Sequence, residues 1–170
     1  MGGLAITQAA EHAADQLQGL IYVTAFMPRD GQSLLDLAAL DPNPSLRDVA
    51  VIDPATTTAT VPAKDARRIF YGACSDSQAA RALERLRPQL LGPMAATVSL
   101  SDVNFGRVPR YYVECRQDRA IPVEVQRRMY EAAGVRSVAS LDTDHSPFYS
   151  ATQGLAAAIN GFVEENRTTS

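Results

Sequence analysis

The last third of the chain alternates strand and helix patterns, and this alternation constrains the fold more than any other feature. Residues 108–115, VPRYYVEC, and residues 135–141, VRSVASL, have the apolar and β-branched content of strands. Between them, residues 122–134 form a helix pattern that begins with proline and ends with glycine. An amphipathic pattern over 150–166 predicts a final helix. Strand, helix, strand and helix joined by short loops predict a parallel sheet and an α/β fold.

The beginning of the chain predicts one more helix and one more strand of the same sheet. Alanine and leucine recur at helical spacing over residues 4–17, which predicts a helix that stops near Gly19. Residues 20–26, LIYVTAF, form an almost continuous apolar run, as expected for a strand buried on both faces. We therefore expect three parallel strands with flanking helices.

The middle of the chain has a different pattern. Several prolines break it into short helical segments, and residues 53–63, DPATTTATVPA, are polar and β-branched with no strong helical period. Residues 75–90 begin with serine and aspartate and predict a clear helix. We interpret residues 28–96 as a mostly helical cap, inserted into a partial core made of residues 1–27 and 97–170.

Composition excludes several classes of function. The 170 residues include 16 basic and 19 acidic ones, and without a basic run we expect no nucleic-acid partner. No apolar stretch approaches the roughly 20 residues that span a bilayer, and no signal peptide is visible, so we expect no membrane partner. Cys74 and Cys115 form no disulfide framework, which favours inert thiols in a reducing cytoplasm. His12 and His145 are the only histidines, so we predict neither a metal site nor a cofactor.

Two polar residues follow predicted strands near their carboxyl ends, where open parallel sheets gather catalytic groups. Asp118 lies three residues after the strand that ends at Cys115, and His145 follows the strand that ends near Leu141. A carboxylate beside an imidazole can fix its tautomer and leave the other nitrogen as a general base. The alternatives are that Asp118 caps a turn or a helix and that His145 is a surface or structurally satisfied residue.

The first residues, MGGLAITQAAE, are similar to the downstream half of a nucleophile elbow, G-x-S-x-G. In that motif the serine lies on a sharp turn between a strand and a helix, and the next residue donates its backbone N–H to the oxyanion hole. The similarity puts Met1 at the oxyanion-hole position and the serine immediately ahead of it. The order along the chain would then be serine, acid and histidine.

With these stretches together, the chain resembles the C-terminal part of an α/β-hydrolase, cut directly after the nucleophile serine. The group includes plant methylesterases, salicylate-binding esterases and hydroxynitrile lyases, with their bacterial relatives. Five stretches carry the resemblance: MGGLAITQAAE, LIYVTAFMPRDGQSLLDL, IFYGACSDSQAARALERLRPQ, VPRYYVECRQDRAIPVEVQRRM and DTDHSPFYS. It implies a carboxylic ester hydrolase acting on a small-molecule ester, with Asp118 as acid and His145 as base. Lyase chemistry on cyanohydrins uses the same triad.

The resemblance also implies parts that this sequence does not contain, namely the serine and the strands and oxyanion loop ahead of it. Ser75 and Ser77 are interpreted as a helix cap, and Ser146 is not expected to face its neighbour His145. Asp30 is an alternative acid with a less fitting position. We therefore expect no efficient hydrolysis by this chain alone. The alternatives are a non-catalytic remnant or binding module, and one half of a split hydrolase.

The same arrangement leaves the strand over residues 20–26 without one neighbour. An apolar edge of unpaired N–H and C=O groups is prone to pair with another chain. We therefore expect either self-association or a complementing N-terminal half.

Overall fold

The computed structural model describes residues 1–168, so the last two residues of the expected core range lie outside it. The helices are α1 Gly2–Ala13, α2 Leu34–Ala38, α3 Ser45–Val49, α4 Ala63–Phe70, α5 Asp76–Leu83, α6 Leu91–Ala95, α7 Val123–Ala133, α8 Pro147–Ser150 and α9 Thr152–Thr168. The strands are β1 Leu20–Val23, β2 Val51–Asp53, β3 Thr58–Thr60, β4 Gln89–Leu90, β5 Arg110–Cys115 and β6 Ser137–Leu141. Short 3-10 turns cover Ala14–Gln16 and Phe105–Arg107.

The predicted three-stranded parallel sheet is confirmed. Its order is β1-β5-β6, with β5 paired in parallel to both neighbours. Among residues 1–168 no strand pairs with the other edge of β1. Helix α7 connects β5 to β6 and ends at Gly134, whose left-handed backbone (φ 63°) is the expected stop.

Helices pack against both faces of β1 and β5, which accounts for the apolar residues on both sides of these two strands. On one face, Tyr22 and Tyr112 pack with residues of α1 and α7 in a cluster that includes Ala10 and Val125. On the other face, the neighbouring strand residues Tyr111 and Val113 pack against Phe162 of α9. Successive side chains of a strand point to opposite faces, so a strand covered on both sides has no exposed position to fill with a polar residue.

Helix α1 packs so closely against the chain after β1 that only glycine fits at position 3. A Cβ on Gly3 would lie 1.8 Å from the carbonyl oxygen of Phe26, whereas a Cβ on Gly2 would meet nothing within 4 Å. The helix ends at Ala13 and continues as a 3-10 turn, so it stops before the predicted Gly19. The cause is Leu17, which already has extended backbone (φ −111°, ψ 129°).

Strand β1 is shorter than predicted because Thr24 leaves the extended conformation. Its φ is 37°, in the left-handed region that β-branched residues rarely occupy. Its N–H still donates to the carbonyl of Val113 at 2.8 Å, so Thr24 remains attached to β5. The chain turns there, and Ala25 and Phe26 run past α1 instead of extending the strand.

The middle of the chain contains a second sheet that the sequence did not predict. Strands β2, β3 and β4 form an antiparallel sheet in that order. Its strands have two or three residues, too short for a recognisable alternation, and Val51, Ile52 and Leu90 in it are more than half exposed. The predicted helix over residues 75–90 is present as α5, with Ser75 as its cap, but it ends at Leu83.

Helices long and apolar enough to cross a membrane are absent from the described part of the chain.

Candidate active site

Asp118 and His145 meet at the carboxyl edge of the parallel sheet. His145 Nδ1 lies 2.8 Å from Asp118 Oδ2. The Asp118 side chain is fully buried, and 29% of the His145 side chain is exposed. Because a carboxylate only accepts hydrogen bonds, Nδ1 carries the proton and Nε2 of the neutral ring keeps its lone pair. Within residues 1–168, Nε2 has no hydrogen-bond partner, so the ring has one nitrogen held and one available.

Three further donors fix the carboxylate of Asp118. The backbone N–H groups of Ala120 and Ile121 donate to Oδ1 at 2.7 and 3.0 Å. The hydroxyl of Thr24 donates to Oδ2, the oxygen that also contacts His145. The left-handed backbone of Thr24 aims this hydroxyl across from the end of β1. Asp118 therefore caps its own turn, as in the structural alternative above, and also pairs with the histidine.

Backbone pairing beyond the ends of the strands holds the two loops together. The N–H of Arg116 donates to Leu141 at 3.0 Å, and the N–H of Gln117 donates to Thr143 at 2.9 Å. These bonds extend the parallel ladder of β5 and β6 by two residues. The positions of Asp118 and His145 thus follow directly from the register of the sheet.

Asp144, the residue before His145, is a buried anchor that the sequence analysis missed. Its side chain receives hydrogen bonds on both oxygens, and the residue is 2% exposed. Oδ2 accepts from Ala73 N at 2.7 Å and from Cys74 Sγ at 3.6 Å. Oδ1 accepts from Ser146 N at 3.1 Å and from Ser150 Oγ at 2.7 Å. Asp144 therefore connects the histidine loop with the chain that follows α4.

The aromatic ring of Phe70, at the end of α4, lies beside the histidine. The ring centroids of Phe70 and His145 are 5.6 Å apart, with a tilt of 47°. A second residue of the same segment, Tyr71, packs with Cys74 in a small apolar cluster that also contacts Tyr149. The middle segment thus contributes apolar surface next to the imidazole.

Within residues 1–168, none of the other residues singled out in the sequence forms a hydrogen bond with the His145 side chain. Met1 is the N-cap of α1 and its carbonyl accepts from Leu4 N at 3.1 Å. The Met1 side chain is exposed, but its amino group lies against the protein, and this burial lowers the pKa of the amine. Asp30 is exposed and accepts from Leu100 N at 2.8 Å. Ser75 forms a capping box with Gln78, as the sequence indicated.

The two thiols are buried and unpaired. Burial raises the pKa of Cys74 to about 11 and that of Cys115 to about 12. A thiol with such a pKa is almost entirely protonated near neutral pH and is a poor nucleophile. His12 is exposed on α1 near Gln8. Within residues 1–168, no group of three or more His, Cys, Asp and Glu side chains could hold a metal ion.

Thr24 and Asp144 were missed for different reasons. Thr24 lay inside an apolar run that predicted a strand to residue 26, and nothing local marks a left-handed threonine. Asp144 was visible in DTDHSPF, but its Ala73 partner lies 71 residues away in the chain.

A parallel sheet covered by helices on both faces, with an Asp–His pair at its carboxyl edge, defines an α/β-hydrolase-type core. The sequence profile described as the alpha/beta hydrolase family matches residues 1–158, and the chain belongs to this family.

Among its relatives, the putative methylesterase 11 (chloroplastic) of Arabidopsis thaliana is 29% identical over 163 residues, covering 91% of this chain and 42% of that protein. A pyrethroid hydrolase of Sphingobium wenxiniae is 31% identical over 185 residues, covering 96% of this chain and 61% of that protein. A crystal structure of a pyrethroid hydrolase matches with a TM-score of 0.84 at 27% identity, over 96% of this chain and 67% of that one. The chain thus spans about half the length of these two curated relatives, and the expected likeness to methylesterases is confirmed.

Proposed function

We propose that this chain supplies the acid and the histidine of an esterase site. The observation that carries the proposal is the contact between His145 Nδ1 and buried Asp118, with Nε2 left unpaired. In such a site a serine hydroxyl attacks the ester carbonyl while Nε2 takes its proton. Nε2 then returns the proton to the departing alcohol, and water releases the acid in the second half of the reaction. Asp118 stabilises the imidazolium that forms between these transfers.

The substrate class is a small carboxylic ester. The curated relatives are named as methylesterases and a pyrethroid hydrolase, and both names point to small esters. The apolar ring of Phe70 beside His145 supports a substrate with an apolar part. In this proposal residues 28–96 act as a cap over the core formed by residues 1–27 and 97–170, and Met1 occupies the oxyanion-hole position.

A complete site also needs a nucleophile, and we propose that this chain does not hydrolyse esters by itself. No hydroxyl or thiol within residues 1–168 hydrogen-bonds to His145. The nearest serine in sequence, Ser146, is buried, and its backbone N–H is bound to Asp144. The second candidate function is one half of a split hydrolase, favoured by the unpaired edge of β1, where a complementing segment would add its strand.

The test is hydrolysis of p-nitrophenyl acetate. The chain is assayed alone, and after co-expression with the portion of the Sphingobium wenxiniae pyrethroid hydrolase that precedes the matched region. The chain alone should match the buffer rate, with no change in His145→Ala. The co-expressed pair should show turnover that His145→Ala and Asp118→Asn abolish and that His12→Ala leaves unchanged.

Two results would contradict the proposal in different ways. Turnover by the chain alone that depends on His145 would show that it holds its own nucleophile. A soluble, stoichiometric pair without His145-dependent turnover would argue against ester hydrolysis and for a non-catalytic remnant. The codons directly before Met1 give a further check, since an in-frame G-x-S would supply the expected serine.

A further inference from the structure

A cavity of about 220 Å³ lies between the segment after α4 and the loop that carries Asp118. It is called the arginine cavity here, because Arg67, Arg68 and Arg119 all line it. Gly72, Ala73, Gln117 and Asp144 complete the wall, so its lining includes both sequence neighbours of Asp118 and the residue before His145. The proposed hydrolysis uses none of these arginines.

Asp144 is the only acidic residue in the lining, and both oxygens of its carboxylate already accept hydrogen bonds. Asp144 accepts from two backbone N–H groups, one hydroxyl and one thiol, within hydrogen-bond reach on both oxygens. None of these donors is an arginine. Asp144 therefore connects two walls of the cavity and forms no ion pair with any of the three arginines that line it.

Two of the arginines have partners outside the cavity. Arg67 pairs with Asp76 at 3.2 Å, and the Asp76 side chain is fully exposed to solvent. Arg68 pairs with Asp65 at 3.5 Å, with 45% of the arginine side chain exposed. Exposed ion pairs of this kind contribute only about 0–1 kcal/mol to stability. Arg67 and Arg68 can therefore still attract another anion.

The third arginine has no partner. Arg119 is exposed and forms no ion pair or hydrogen bond with any residue in the described part of the chain. All of its N–H donors are available, in the planar fork that matches the two oxygens of a carboxylate or phosphate. A cavity lined by three arginines, one of them without a partner, has the chemistry of an anion site.

We propose that the arginine cavity binds a small oxyanion, either a carboxylate or a phosphate group. Arg119 is its main ligand, and Arg68 supplies the second charge. Arg67 has a different role, since it donates to the carbonyl oxygens of Tyr71 and Cys74 and so shapes the turn that walls the cavity. This inference does not rest on ester hydrolysis, because binding is measured without turnover.

The experiment titrates the ¹⁵N-labelled chain with inorganic phosphate and, separately, with succinate, at an ionic strength held constant with sodium chloride. The backbone amides of Ala73 and Gln117 should shift and saturate. Arg119→Gln should raise the Kd roughly tenfold, which corresponds to about 1.4 kcal/mol. Arg68→Gln should weaken binding by a smaller factor. The anion that binds more tightly identifies the carboxylate or the phosphate as the preferred group.

The matched control is Arg85→Gln, which removes the same charge from an exposed arginine outside the cavity. It should leave the Kd unchanged. The inference is overturned if neither anion saturates these amides, or if Arg119→Gln binds like the unchanged chain. It also fails if Arg85→Gln weakens binding as much as Arg119→Gln, since the effect would then be one of net charge. Equal binding of uncharged dimethyl succinate would exclude recognition of an anion.

Discussion

The carboxylate of Asp144 lies 2.7 Å from the backbone nitrogen of Ala73 and accepts its hydrogen bond. One of these residues directly precedes His145, and the other belongs to the turn after α4. The bond is buried at the carboxylate end, so neither group can exchange its partner for water without opening the structure. The position of His145 therefore depends on the middle segment as well as on the sheet.

Replacing Asp144 by asparagine should destabilise the chain by about 1–3 kcal/mol, the cost of leaving buried donors without an acceptor. An amide has one accepting oxygen, whereas Asp144 uses both of its oxygens. Urea unfolding measures the change in free energy, and hydrogen exchange of the Ala73 amide should accelerate. Asp142→Asn is the control: Asp142 is exposed and should change stability by no more than about 0.5 kcal/mol. Equal effects of the two variants would contradict the anchoring role.

Gly3→Ala should destabilise the chain by about 1–3 kcal/mol, the range for forcing an extra carbon into a packed site. The new Cβ would lie 1.8 Å from the carbonyl oxygen of Phe26, so α1 or the chain after β1 must move. Gly2→Ala is the matched control, since its Cβ meets nothing and alanine favours the helix. Thermal unfolding should show a lower melting temperature for Gly3→Ala than for the original chain. The melting temperature of Gly2→Ala should be equal to that of the original chain or higher. A neutral Gly3→Ala would show that this contact is not tight in solution.

Asp118→Asn should change the tautomer of His145. The carboxylate of Asp118 can only accept, which keeps the proton of the neutral ring on Nδ1. The amide group of asparagine offers N–H donors as well, so the Nδ1 form loses its preference. ¹⁵N chemical shifts of the neutral imidazole measure the two tautomers directly. Asp30→Asn, at an exposed acid bound to Leu100, should leave these shifts as they were.

Glu11 should make stability depend on pH in the acid range. Hydrogen bonds from Ser101, with others from Asn104 and Phe105, lower the pKa of Glu11 from 4.5 to about 2. The folded pKa lies below the unfolded one, so the stabilisation is complete above about pH 4.5 and is lost as the pH falls toward 2.

The measurement is the urea midpoint of the unchanged chain and of Glu11→Gln across this range. The difference in urea midpoint between these two proteins should shrink as the pH falls from 5 to 2. Glu124→Gln, at an exposed glutamate on α7, is the control that removes the same charge. A constant difference for Glu11→Gln would rule out the ionised Glu11 as the source of the effect.

The unpaired edge of β1 should make the chain self-associate. Parallel pairing with β5 uses one edge of this strand, and among residues 1–168 no strand uses the other. Sedimentation velocity should show a concentration-dependent shift toward dimers or larger species. Co-expression with a complementing segment should suppress that shift. A monodisperse monomer that unfolds cooperatively would contradict the prediction.

The parallel core could be predicted because its strands and helices are long and have a regular pattern. Residues 111–113 are apolar and buried on both faces of the sheet, and the helix α7 ends at Gly134, whose left-handed backbone glycine adopts easily. Asp118 and His145 followed from the same logic, because adjacent parallel strands bring successive loops to one edge. No knowledge of side-chain packing was needed for either step.

What the sequence could not provide depends on contacts between distant residues. The strands β2, β3 and β4 are too short to carry a period, and they exist because they pair with one another. Thr24 adopts a left-handed backbone that its β-branched side chain disfavours. The local sequence therefore predicted an extended strand at this position instead of a turn. Asp144 is anchored by Ala73, and no pattern within seven or eight residues could reveal that partner.

The left-handed backbone of Thr24 has two opposing effects that directed evolution would have to balance. A non-glycine residue with this backbone carries about 1–2 kcal/mol of strain, which glycine at position 24 would relieve. Glycine would also remove the hydroxyl that binds Asp118. Selection for heat resistance therefore weighs relief of this strain against loss of a hydrogen bond to a buried carboxylate, whereas selection for an ordered Asp–His pair should return threonine.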